Sequence, residues 1–174
     1  MKNFIKGFRF TPSNYPAAVE DKIQKYRKQG YKLPPRKVLR TPEQLEGIRE
    51  SAKINTALLD HIAENIREGM CTEIDRLVYD FTTGHGAVPA PLNYEGFPKS
   101  VCTSINDVVC HGIPNKNEIL KNGDIINVDV STIYNGYFSD ASRMFMIGDV
   151  SPEMRKLVQV TKECMEIGIA TAQP

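Results

Sequence analysis

DIINVDVSTIYNGYFSDASRMFM, residues 124–146, is the stretch that decides the fold. Two β-rich runs meet at Asn135 and Gly136. A two-residue type I′ turn needs positive φ at both central positions, which Asn-Gly supplies, so the stretch reads as one long β-hairpin. Its register follows from the turn: Tyr134 faces Tyr137, Asp129 faces Ser142 and Asp140 faces Ser131. Side chains alternate with a period of two, so Asp129, Ser131, Asp140 and Ser142 fall on one face with the two aspartates as diagonal neighbours. Two carboxylates brought together repel unless a proton or a cation sits between them. A rigid ladder could hold a pair of oxygen-seeking divalent ions there; a plain polar, solvent-facing surface is the alternative that spacing alone leaves open.

Around the hairpin, the flanking residues sort into helices and loops. Thr41, Pro42 and Gln44 form a helix start of capping-box type, followed by apolar Leu45, Ile48, Ala52, Leu59, Ile62, Ala63 and Ile66, with Gly69 as the stop. Thr72 and Asp75 begin a second helix that turns Ile74, Leu77, Val78 and Phe81 inward. The proline-rich AVPAPLNYEGFP, residues 87–98, reads as a shaped loop, and residues 100–105 and 107–111 read as short strands around Asn106. Ser151 and Pro152 open a last helix with Leu157, Val158, Thr161, Cys164, Met165 and Ile169 on its apolar side. Helices and antiparallel strands in separate runs predict an α+β fold.

With 174 residues and 41% apolar content, the chain can build one core. The four cysteines, Cys71, Cys102, Cys110 and Cys164, lack CxxC or zinc-ribbon spacing and read as free thiols of a cytoplasmic protein. Neither a secretory leader nor a membrane span is expected. Charge is uneven: residues 1–40 hold eleven Lys or Arg against two acids. This basic N-terminal extension, interleaved with Phe4, Phe8, Phe10, Tyr15, Tyr26 and Tyr31 and closed by a Pro-rich linker at Leu33, Pro34, Pro35 and Arg36, is expected to be a solvated arm or to touch ribosome or nucleic acid through phosphate attraction. Of the three histidines, His111 stands out, because it ends an apolar run, Val108-Val109-Cys110, and opens into Gly-Ile-Pro.

Three motifs in order, LNYEGFPKSVCTSINDVVCHGIP (residues 92–114), NGDIINVDV (122–130) and DASRMF (140–145), resemble type I methionine aminopeptidase over residues 41–174. The resemblance implies the first half of a pita-bread fold, an antiparallel sheet with a long hairpin covered by helices. It implies removal of the N-terminal methionine of nascent proteins by metal-assisted amide hydrolysis, with two divalent ions drawn from Mn, Fe, Co or Zn. Asp129 and Asp140 match the metal-binding aspartates, Asp140 contacting both ions and Asp129 one. His111 matches the histidine that contacts substrate and stabilises the transition state, and Tyr94, Phe97 and Cys102 match the methionine pocket. The remaining ligands, a histidine and two glutamates, belong to a second half expected to be absent. The site is therefore expected to be incompletely coordinated, and this half alone to be inactive and prone to self-association. A non-catalytic ribosome or nucleic-acid binding module and an X-Pro type pita-bread peptidase are the alternatives.

Overall fold

The computed structural model describes residues 17–35 and 38–172. Four helices and four strands follow in the order α1 (Ala17–Lys28), α2 (Pro42–Asn65), α3 (Glu73–Gly84), β1 (Val88–Pro89), β2 (Cys102–Ile105), β3 (Ile125–Tyr134), β4 (Tyr137–Met146) and α4 (Pro152–Thr171). The chain divides into two compact units, Met1–Arg49 and Glu50–Pro174, with the boundary inside α2. In the first unit, α1 buries no residue, and Tyr26 meets Tyr31 edge to face at 5.7 Å. Phe4, Phe8, Phe10, Tyr15 and Arg36 lie outside the described residues.

The capping box at the start of α2 forms as the sequence predicts. The Thr41 amide donates to Gln44 Oε1 at 3.0 Å and the Gln44 amide to Thr41 Oγ1 at 3.2 Å. Downstream, the inward set differs from the apolar one read from periodicity. Leu58, Leu59 and Ile62 are buried, but so are Ser51 and Asn55, whereas Leu45 and Ala63 are exposed. Counting apolar residues alone misplaces the stripe, because two polar side chains on this face are satisfied by the sheet.

In the second unit the hairpin is the frame. Strands β3 and β4 pair over ten positions from Ile125↔Met146 to Tyr134↔Tyr137, in the predicted register, and Asn135 and Gly136 take φ of 48° and 81°. Along the other edge of β3 lie two short antiparallel partners end to end: β1 against Thr132 and Ile133, and β2 against residues 126–129. Residues 87–98 are thus mostly loop, as expected, with a two-residue edge strand added. Ile126, Val128 and Val130 alternate into a core shared with Leu58, Ile62, Ile74 and Val78 of α2 and α3.

One further expectation is corrected. Residues 107–111 are not a strand: β2 ends at Ile105, opposite Ile126, and β3 begins only one residue earlier, so no strand edge remains for them to pair with. The chain turns at Asn106 instead, in positive φ, with Asn106 bonded to Asp124 and to the Ile125 amide, and Val109 is left 94% exposed. In α4, Ser151 caps the Met154 amide as predicted, but no residue is buried, and Leu157, Met165 and Ile169 are all more than half exposed. Nothing among the described residues covers its apolar side.

Candidate metal and substrate site

Strand register builds the site. Cys102 on β2 is the partner of Asp129 on β3, and Asp129 is the partner of Ser142 on β4. Ser131 and Asp140 form the next row on that face, and Ile133 and Phe138 the row after it. Ser131 donates its hydroxyl to Asp140 Oδ1. The two aspartates are unlike in setting. Asp140 is exposed, whereas Asp129 is half-buried and no hydrogen-bond donor among the described residues reaches its carboxylate. Burial, and then the negative charge of Asp140, hold the Asp129 pKa above the usual carboxylate range, opposed by nearby His111.

A loop on each side completes the wall. In one, Tyr94 and Phe97 flank a tight 3-10 turn closed by bonds from the Phe97 amide to the Tyr94 carbonyl and from the Asn93 amide to the Phe97 carbonyl, both 2.8 Å. In the other, His111 sits at φ 56°, a conformation that costs a non-glycine residue about 1 kcal/mol, so tertiary contacts must hold it. The next residue supplies them. Gly112 donates to Ser104 Oγ at 3.2 Å and accepts from the Thr103 amide at 2.8 Å, so close to β2 that a Cβ there would meet the Thr103 carbonyl oxygen at 1.9 Å.

All six residues singled out in the sequence, Tyr94, Phe97, Cys102, His111, Asp129 and Asp140, line one open cavity of about 990 Å³. Phe138 and Ile113 line it too, and sequence reading missed both. Hairpin register was the available signal for Phe138, which lies two residues before Asp140 on the same face; Ile113 follows Gly112 directly. The Cys102 thiol is buried, and burial, helped by Asp129, Cys110 and Asp140, pushes its pKa up to about 11. It therefore stays a neutral, polarisable surface at neutral pH.

Hard carboxylate oxygens suit a divalent cation, and an underserved, like-charged pair is what such an ion would stabilise. The donors fit in kind and fall short in number. Among the described residues no three His, Cys, Asp or Glu side chains converge to enclose an ion.

Comparison with known proteins shows the family of the chain. Residues 46–174 match the family model described as metallopeptidase family M24. Methionine aminopeptidase A of Synechocystis sp. is 48% identical over 132 residues, covering 75% of this chain and 52% of that protein. The crystal structure of methionine aminopeptidase from Rickettsia prowazekii superposes with a TM-score of 0.71 at 46% identity, covering 74% of this chain and 52% of the other. The Thermotoga maritima methionine aminopeptidase structure gives 0.75 at 30% identity, with 78% and 55% covered. The chain thus spans about half the length of the curated relatives it matches.

Proposed function

Because the chain belongs to metallopeptidase family M24, with the half-open sheet and long hairpin of its pita-bread fold, we propose that residues 41–174 form the aspartate-bearing half of the catalytic domain of a methionine aminopeptidase. The whole protein would remove the N-terminal methionine from newly made proteins in the cytoplasm. One observation carries the reading: Asp129, Asp140, His111, Cys102, Tyr94 and Phe97 share a single cavity in a chain this similar to methionine aminopeptidases.

In this reading Asp129 and Asp140 would hold divalent metal, two ions in the complete site, their identity among Mn, Fe, Co and Zn set by supply. Bound metal supplies Lewis-acid polarisation of the scissile carbonyl and an acidified water. The Asp129 carboxylate, half-buried and repelled by Asp140, would be offset by that positive charge. Tyr94, Phe97 and the neutral Cys102 thiol receive the methionine side chain, a thioether that favours aromatic and sulfur contact over charge. Cys102 remaining a thiol keeps a soft thiolate from competing for the ion. His111, which lines the cavity and interacts with Asp129, would donate a hydrogen bond to an oxygen on which negative charge develops.

The test is release of free methionine from Met-Ala-Ser by the complete gene product supplied with Mn²⁺ or Co²⁺, with Asp140→Ala as the inactive control. Absence of methionine release with every metal tried overturns the reading. Cleavage of Ala-Pro-Ala in place of Met-Ala-Ser reassigns the protein to an X-Pro specificity.

A further inference from the structure

Behind the carboxylate face, α2 places two polar side chains one helical turn apart, Ser51 and Asn55, at 0% and 1% exposure. Asn55 donates from Nδ2 to the Val130 carbonyl at 3.1 Å and accepts the Thr132 hydroxyl at Oδ1 at 2.8 Å. Ser51 donates to the Thr132 carbonyl at 3.2 Å. Its single proton is then used, so the contact to Ser139 at 2.9 Å must run from the Ser139 hydroxyl to Ser51 Oγ. Each proton of the four bonds thus has a fixed direction.

The residues touched are the ones that carry the site. Val130 follows Asp129, Val130 and Thr132 bracket Ser131, and Ser139 precedes Asp140. We propose that Ser51 and Asn55 are positioning residues for the carboxylate pair, locking this short section of the hairpin backbone so that Asp129, Ser131 and Asp140 keep one spacing. The proposal rests on the reading of that pair as a metal site. An apolar helix face would cover the sheet equally well, but dispersion contacts are non-directional and leave the ribbon free to shift against the helix, whereas a fully bonded buried network specifies one arrangement. Metal sites lose function when ligands wander by about 0.5 Å, so the support behind the ligands matters as much as the ligands.

The experiment separates positioning from stability. Asn55→Leu alone strands the Thr132 hydroxyl and risks unfolding, so it is paired with Thr132→Val, which replaces that bonded couple by apolar groups of similar shape and leaves the Val130 carbonyl as the one group that loses its side-chain donor, with urea denaturation checking that the variant is folded. Ser51→Ala is the second variant, and Ile62→Val on the same helix is the packing control. Amide hydrogen exchange by NMR, with EDTA and no metal, is read at residues 130–132 and 139–141 and compared with Ile126 and Phe145, partners farther along the same hairpin. Exchange near the carboxylates should accelerate about tenfold relative to Ile126 and Phe145 in Asn55→Leu/Thr132→Val and in Ser51→Ala, and not in Ile62→Val. An unchanged ratio in the folded variants, or the same change in Ile62→Val, overturns the proposal. Addition of Mn²⁺ alone to wild type should broaden the Asp129 and Asp140 resonances. Its failure to do so would count against the metal site while leaving the exchange result to decide positioning.

Discussion

Gly112→Ala offers the sharpest check on how the cavity is held together. The glycine is required for proximity and not for its backbone conformation, since a Cβ would lie 1.9 Å from the Thr103 carbonyl oxygen, 2.7 Å from the Thr103 carbonyl carbon and 3.1 Å from the Ser104 Cα. Every atom met belongs to the backbone of β2, which is pinned to β3, so no side chain can swing aside. The 107–113 loop must move off the strand by about 1 Å or more. Two hydrogen bonds then lengthen or break, the Thr103 amide to the Gly112 carbonyl and the Gly112 amide to Ser104 Oγ. At about 1 kcal/mol for each bond, with about 1–3 kcal/mol for the overlap, the loss is about 3–5 kcal/mol. In a chain of this size that is a melting point lower by roughly 6–20 °C.

Urea denaturation measures it, as a fall in midpoint at unchanged slope. Gly84→Ala is the matched control: a Cβ there meets nothing within 4 Å, so its effect should be neutral or stabilising by up to about 1 kcal/mol. A Gly112→Ala protein within about 0.5 kcal/mol of wild type would refute the close-approach argument. It would also remove the reason given for His111 holding positive φ, since His111 and Ile113 reach the cavity only because the residue between them is pressed onto β2.

Other outcomes follow from single groups. Asp129 has its folded-state pKa raised, so the native state binds the extra proton and stability falls as pH rises from the ordinary carboxylate range through the raised value; in EDTA, Asp129→Asn should melt higher than wild type at pH 7, with the gain gone at acid pH, as scanning calorimetry would report. A Cys102 pKa of about 11 leaves about one thiol in a thousand ionised at pH 8; peptide mapping after brief iodoacetamide treatment should find the exposed Cys110 and Cys164 alkylated and Cys102 intact. Thr82 is buried with a hydroxyl that finds no partner among the described residues, so Thr82→Val should be neutral or stabilising by about 1 kcal/mol in urea denaturation.

Local chemistry decided which parts could be read in advance. The hairpin register is legible because Asn135 and Gly136 satisfy a conformational demand that few residue pairs meet, and once the turn is placed, alternation places Asp129 and Asp140 with no further assumption. The α2 and α4 starts are legible for a similar reason, a hydroxyl and a proline at a helix end. Val108-Val109-Cys110 misleads because β propensity describes a residue's fit to a sheet, and whether a sheet edge is available there depends on where β3 begins, some fifteen residues later. Ser51 and Asn55 are invisible to hydrophobic periodicity because they are buried through bonds to backbone carbonyls that only the folded sheet presents. The cavity itself joins residues 90–98, 111–113 and 138–140, whose meeting is tertiary.

The inequality of the two aspartates bears on how the site fills. Asp140 is exposed and takes a hydroxyl from Ser131, so its charge is served by water and by the protein. Asp129 is half-buried between Cys102 and Ser142 with no hydrogen-bond donor among the described residues, and Asp140 repels it. In the bare protein burial and that repulsion raise the Asp129 pKa. A divalent ion would relieve the repulsion, because one cation offsets both carboxylates while the Cys102 thiol stays neutral beside it. Metal and proton compete for Asp129, so binding should weaken as pH falls through the raised Asp129 pKa. The carboxylate that is worse off alone is in this way the one that makes the pair selective for a cation.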